Sequence, residues 1–275
     1  MLNFNGQIIT RSAINLSISN RGFTYGDSLF DTCKLINRNI QFGEDHYFRL
    51  MASMRMLRME IPMYFTLEFF EQEILKTASA NKLDLEARVK FTVFRDSEGY
   101  YTPKTNKISF IIEVSELKIP VSKSYEIGIF KDYYINSSLL STLKTNNRIL
   151  NVIASIFAAE NNLDNCLLLN EKKNVVEALN GNIFLIKDNV VVTPPLSDGC
   201  VKGVMRKKVI EMLQKDTSFT LEEAKISPFD LQKADALFVT NSIIGINAVT
   251  KYRKKEFNLD IVNRIINDFD LLNKV

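Results

Sequence analysis

Three short segments in the second half of the chain limit its fold more than any others: LKTNNRILN from Leu143, VVEALNGNIFLI from Val175 and PPLSDGCVKGVMR from Pro194. Each sets a charged or polar group into an apolar or tightly turned run. Glu177 stands among Val175, Val176, Ala178 and Leu179, and a strand that buries such a run has to give the carboxylate a partner. Lys144 follows the Leu139-Leu140 step and precedes an apolar helical pattern with Ile149, Val152, Ile153 and Ile156 as its inward stripe. Gly199 and Gly203 bound a turn that runs into a second helical pattern at Val204, whose first backbone N–H groups have no partner within the helix. Taken singly, each piece also suits a plainer role: an exposed strand charge, a solvated first-turn lysine, an ordinary glycine turn.

A chain of 275 residues can hold one large domain or two of ordinary size with a full core. The formal charge of +3, with basic and acidic residues interspersed, leaves no basic stripe, so nucleic acid is not an expected partner. Residues 1–10 lack a charged n-region, and no apolar run reaches bilayer length, so neither a signal peptide nor membrane contact is expected. Cys33, Cys166 and Cys200 are odd in number and far apart, as suits buried thiols in a reducing cytoplasm better than a disulfide framework. With His46 the one histidine, no Cys/His or two-histidine metal site is expected.

Strand patterns fall on residues 2–10, 87–95, 107–117, 126–131, 166–170, 181–187 and 189–193, with a strand or helix-to-strand passage at 28–36 and a strand-turn passage at 236–249. Helical patterns fall on residues 44–59, with a methionine-rich face expected to fill core, and on 65–81, about 145–161 and 204–215. Few helices among many strands predict an α+β fold rather than a regular βαβ series. The Pro120 region is the expected linker, at residues 119–124, between a small α/β domain (1–118) and a larger domain (125–275).

A lysine amine, an acid set to face a ring nitrogen and donors for a phosphate are what pyridoxal 5′-phosphate requires of a protein. Lys144, Glu177 and the turn Gly203-Val204-Met205-Arg206 can supply one each. Partial desolvation of Lys144 favours the neutral amine that a Schiff base needs. Thr240, Asn241 and Ser242 offer further phosphate donors, Arg49 a positive charge, and Asn180 and Asn182 polar contacts near the Glu177 strand. Arg95 suits a substrate carboxylate and equally an exposed loop.

Over nearly its whole length the chain resembles the fold-type IV pyridoxal-phosphate enzymes, the class-IV aminotransferase family. The resemblance is carried by RGFTYGDSLFDT (Arg21 onward), HYFRL (His46 onward), LKTNNR, VVEALNGNIF, SDGCVKGVMR and FVTNSIIGI. It implies a two-domain, D-amino-acid-aminotransferase-like fold with the cofactor between the domains, a small-molecule amino substrate and a homodimer. It further implies Lys144 as the catalytic Schiff-base lysine, Glu177 as partner of the pyridine nitrogen and Val201 as an apolar contact of the ring. Arg49, Val204, Met205, Thr240 and Asn241 match phosphate-anchoring positions. Within the family, Met205 stands where transaminases usually place threonine, and GVMR and the Thr240-Asn241-Ser242 motif look more like the 4-amino-4-deoxychorismate lyases of folate synthesis. Phe30 replaces a tyrosine that D-amino-acid aminotransferases use around the substrate carboxylate. Against the lyase, the loop after Arg95 lacks the second arginine that many lyases carry. The expectation is therefore a lyase releasing pyruvate and 4-aminobenzoate, with Phe30, Thr32, Arg95 and Asn180 toward the substrate. The alternatives are a branched-chain or D-amino-acid transaminase using the same lysine, and a non-catalytic relative that keeps only the fold.

Overall fold

In a computed structural model, residues 1–119 and 124–272 are described; of the expected linker, residues 120–123 lie outside the described residues. The architecture is α+β and divides into two units, Met1–Ile119 with Lys144–Asn147, and Pro120–Leu143 with Arg148–Val275.

Unit 1 is built on a six-stranded antiparallel sheet in the order β2-β1-β6-β5-β3-β4. Its strands are β1 (Leu2–Phe4), β2 (Gln7–Ile9), β3 (Ser28–Ile36), β4 (Asn39–Ile40), β5 (Glu86–Arg95) and β6 (Ile108–Ser115). Strict alternation in β5 explains how the sheet is covered. Ala87, Val89, Phe91 and Val93 are buried on one face, where Phe91 stacks between Phe70 and Phe110. That face carries the helices α2 (Gly43–Met56) and α3 (Leu67–Ala80), which follow the short helix α1 (Arg21–Thr24) in the chain. Thr66 caps α3 through its hydroxyl, accepting from Phe69 N. Along α2 the methionine face is divided: Met54 and the following Met59 are core, whereas Met56 is exposed.

Unit 2 holds two five-stranded sheets, β12-β11-β10-β13-β14 and β16-β15-β7-β8-β9. In chain order the strands are β7 (Glu126–Ile129), β8 (Asn165–Leu169), β9 (Val175–Ala178), β10 (Asn182–Lys187), β11 (Val190–Thr193), β12 (Thr220–Glu223), β13 (Ala236–Asn241), β14 (Gly245–Ala248), β15 (Lys251–Tyr252) and β16 (Lys255–Glu256). One core joins them, with Ile127, Leu167 and Val175 from one sheet against Ile183, Leu185, Leu237 and Val239 from the other. Four helices complete the unit: α4 (Ile149–Glu160), α5 (Val204–Leu213), α6 (Asp230–Lys233) and α7 (Asp260–Leu272).

The expected helix over 145–161 starts late, and of its expected inward stripe only Ile153 packs against the core. Ile149, Val152 and Ile156 are 71%, 52% and 54% exposed, and α4 buries Ala154 and Ala158 against Phe130, Cys166 and Leu168 instead. The helix is apolar around most of its girth, so periodicity could not select a face. Small alanines allow the close approach to the sheet that isoleucines would block.

Candidate active site

Lys144 does not open a helix. It lies in an extended segment, residues 144–147, that lengthens the edge of unit 1 beside β3. Phe30 N donates to Lys144 O (2.9 Å), Asn146 N donates to Ser28 O (3.0 Å), and Leu29 and Thr145 form an antiparallel bridge between them. Asn147 Nδ2 adds a bond to Gly26 O at 3.0 Å. Gly26 has φ +61, and a Cβ there would sit 2.5 Å from Asn147 Oδ1, so the turn requires glycine. Backbone on both sides thus fixes Lys144, whose Nζ overhangs the Phe30 ring at 4.6 Å from its centroid. Thr32, two residues along β3, is on the same face of the sheet as Phe30.

Arg49, expected at a phosphate, is largely buried and grips Asp31 through Nε (2.9 Å) and a terminal nitrogen (2.7 Å). His46 Nδ1 lies 2.6 Å from the same carboxylate, and its Nε2 is buried without a hydrogen-bond partner. Burial alone would raise the Asp31 pKa; the Arg49 and His46 charges and hydrogen bonds outweigh it and hold the carboxyl well below the usual range. Asp31 escaped the sequence analysis, although an acid inside the apolar run SLFDTCKL is the same kind of signal that marked Glu177.

Arg95 is not the exposed loop residue that was one of its two expected settings: it is buried at the end of β5. Its Nε donates to Asp27 Oδ2 (2.8 Å), one terminal nitrogen to Asn106 Oδ1 (2.6 Å) and the other to Leu57 O (2.7 Å). Asp27 also receives Arg21 Nε at 2.9 Å, and Arg21 in turn binds the carbonyls of Gly99, Tyr100 and Tyr101. Two arginines on one carboxylate form a clamp that holds this end of the sheet.

In unit 2, Glu177, Val201, Asn182 and Thr240 are linked one to the next. Glu177, in β9, is buried, and its Oε2 accepts from Val201 N at 2.8 Å. Val201 O accepts from Asn182 Nδ2 at 2.9 Å. Asn182 pairs with Thr240 across β10 and β13. A Cβ at Gly203 would lie 2.1 Å from Asn182 Oδ1, so only glycine allows this approach. Gly203 is the N-cap of α5 and has no side chain to bond the first turn, which leaves the N–H end of the helix to another acceptor. Val204 and Met205 open that helix with buried side chains. Asn241 Oδ1 accepts from Ile243 N and Ile244 N, shaping the turn after β13. Asn180 stands apart: it is exposed, and its Oδ1 accepts from Asn165 Nδ2, whose partner is also Tyr125 Oη.

Residues 28–252 match the sequence pattern of class IV amino-transferases, most of the chain. The chain belongs to this family. It is 27% identical over 253 residues to the aminodeoxychorismate lyase of Vibrio harveyi, covering 90% of each chain. Among solved structures, the 4-amino-4-deoxychorismate lyase of Pseudomonas aeruginosa superposes with a TM-score of 0.86 at 24% identity, over 100% of this chain and 99% of that one. The branched-chain aminotransferase of Thermoproteus uzoniensis gives 0.89 at 19% identity, over 98% and 92%. The fold is thus that of the type IV enzymes.

The family's cofactor is pyridoxal 5′-phosphate, and the residues present fit it. Thr240 Oγ1 is buried and has no hydrogen-bond partner, a costly state for a hydroxyl unless something else accepts or donates there. It pairs across the strands with Asn182, which abuts the uncapped end of α5. A hydroxyl and a helix N-terminus suit a phosphate, and a buried carboxylate suits a protonated ring nitrogen. Cys200 sits next to Val201 and takes no part: burial pushes its thiol up to about 12.

Proposed function

We propose that the protein is a 4-amino-4-deoxychorismate lyase that releases pyruvate and 4-aminobenzoate. Met205 carries this reading. Its buried side chain offers no hydroxyl at the phosphate turn, where the transaminases that the chain resembles usually have threonine. The likeness to the Vibrio harveyi lyase along nine-tenths of both chains supports it.

Bound pyridoxal 5′-phosphate supplies an aldehyde that captures the substrate amine and a ring that draws electrons from the adjacent carbon. Glu177 keeps that ring nitrogen protonated, with Val201 N orienting the carboxylate. The α5 N-terminus and the Thr240 hydroxyl would hold the phosphate, and Arg49, aligned by Asp31 within unit 1, would be the positive charge offered to it. Lys144 Nζ takes the proton from the ring carbon that bears the amine. The carbon–oxygen bond to the enolpyruvyl group then breaks, the ring becomes aromatic, and the departing enolpyruvate gains a proton at its methylene carbon to give pyruvate. Lys144 or the Thr32 hydroxyl delivers that proton. Because aromatisation drives the step, placement of Lys144 matters more than a strong electron sink.

This reading takes the chain as a cytoplasmic homodimer, supported by the exposed apolar residues Leu139, Leu140, Ile149, Val152 and Ile156 of unit 2. A second reading, a branched-chain or D-amino-acid transaminase, is favoured by one observation: Arg95, the arginine expected near a lyase substrate, is engaged with Asp27, Asn106 and Leu57. Purified holoenzyme given 4-amino-4-deoxychorismate, and separately branched-chain or D-amino acids with 2-oxoglutarate, separates the two. The lyase releases pyruvate without amino transfer; rapid amino transfer with no pyruvate refutes it.

A further inference from the structure

One buried charge of unit 2 has no part in the chemistry above, yet it ties together residues that do. Arg206 stands in the first turn of α5 with its side chain 7% exposed. A terminal nitrogen donates to Pro194 O at 2.9 Å and to the Glu223 carboxylate of β12 at 2.5 Å, while Nε is buried without a hydrogen-bond partner. Burying a guanidinium with an unpaired N–H costs stability, and such a cost is tolerated where a geometry has to be held. The bond to Pro194 closes residues 194–206 into a loop. Within that loop Val201 N donates to Glu177 (2.8 Å), and Lys202 N donates to Thr142 O (3.0 Å), two residues before Lys144 in the chain. Gly203, where the N–H end of α5 begins, follows directly. Cys200 lies in the same loop, its Sγ 3.7 Å from the Pro194 carbonyl that Arg206 holds. Burial is the main influence on that thiol, and the charges of Arg206 and Glu177 act on it in opposite directions, which sets both charges close to the loop.

We infer that Arg206 is a positioning residue for the cofactor: through Pro194 it sets the Glu177 carboxylate for the ring nitrogen and the α5 end for the phosphate together. This rests on the reading of Glu177 and α5 as contacts of pyridoxal 5′-phosphate, and it applies to lyase and transaminase alike. A shared support means that both ends of the cofactor loosen when Arg206 is replaced.

The test uses the full chain and the variants Arg206→Met, Arg206→Lys, Glu223→Gln and Glu177→Gln. Calorimetric titration of the apoenzyme with inorganic phosphate reads the phosphate end, and a pH titration of the holoenzyme's visible band reads the ring end. A protonated ring nitrogen disfavours a second positive charge on the nitrogen that Lys144 contributes, so a displaced Glu177 lets that nitrogen keep its proton to higher pH. Arg206→Met should bind inorganic phosphate about tenfold more weakly and raise the band's midpoint by about one pH unit. Arg206→Lys, with one nitrogen for two acceptors, should move both readouts the same way by less. Glu223→Gln keeps the Pro194 bond and should leave both within about twofold of wild type. Glu177→Gln should move the midpoint alone.

Given that control, an Arg206→Met protein with either readout at the wild-type value overturns the inference. Should that variant not fold, the same result in Arg206→Lys overturns it, as does a Glu223→Gln protein that matches Arg206→Met. A midpoint unmoved by Glu177→Gln would instead refute the reading of Glu177, and the phosphate affinities would still decide whether Arg206 supports α5.

Discussion

The two units solve the same electrostatic problem by different means. Unit 1 buries its charges as side-chain pairs, Asp31 with Arg49 and His46, and Asp27 with Arg21 and Arg95. Unit 2 places Glu177 against a backbone N–H and leaves a helix end and the Thr240 hydroxyl available. Side-chain pairs hold a fixed geometry but depend on both partners staying charged. Backbone donors need no titratable group, and what they demand is a close approach, which Gly203 permits. Unit 1 is therefore expected to respond to pH and charge substitution through stability, and unit 2 through cofactor affinity and rate.

The largest break in this contrast is Lys144→Ala. Lys144 is held by backbone pairing to β3, so the variant should fold normally, lose the visible chromophore and slow by about a thousandfold or more, the range that positioned proton carriers supply. A normal rate would remove Lys144 from the chemistry. Glu177→Gln follows, with a loss on the order of a hundredfold in kcat, typical of one preorganised electrostatic group. Glutamine can still accept from Val201 N, so thermal stability should hardly move, and a large fall in melting temperature would mean that the carboxylate is structural.

Asp31→Asn tests the other unit. Removing the charge between Arg49 and His46 should destabilise the fold by about 3 kcal/mol at neutral pH. The folded pKa of Asp31 is depressed, so its stabilisation is complete above the ordinary value of 3.8 and is lost as pH falls below it. In denaturant titrations the gap between wild type and variant should narrow progressively as pH falls below 3.8; a constant gap would contradict the ion-pair account. The smallest effect is expected for Thr240→Val, about tenfold in cofactor affinity, equivalent to one hydrogen bond to a charged group. Apoenzyme stability should hold or rise slightly, since a buried hydroxyl without a partner is removed. Unchanged cofactor affinity would take Thr240 out of the phosphate site.

What the sequence revealed divides along the same line. Glu177 was legible because a carboxylate in VVEAL conflicts with its surroundings, and the α5 turn because glycines bracket it. Asp31 was equally legible in principle, but its partners His46 and Arg49 lie on the following helix, where a single sequence does not show pairing. Arg95 misled because its position at the end of β5 hides contacts with Asp27, Leu57 and Asn106, each distant in sequence. The register of Lys144 could not be read: residues 144–147 pair with a strand more than a hundred residues earlier, and local pattern alone suggested helix. α7 was missed: the helical patterns read from the sequence end at residue 215, although Val262, Ile265 and Phe269 form an apolar stripe at helical spacing. The outward face of α4 was beyond periodicity, because a helix apolar on nearly all sides gives no preferred direction.

The central claim is that the backbone-pinned amine of Lys144 is the group that carries the cofactor. Treating the holoenzyme with borohydride and locating the reduced adduct by peptide mass spectrometry tests it most directly. The account predicts a single phosphopyridoxyl modification on Lys144 with loss of the visible absorption; an adduct on another lysine, or none in fully reconstituted protein, would contradict it.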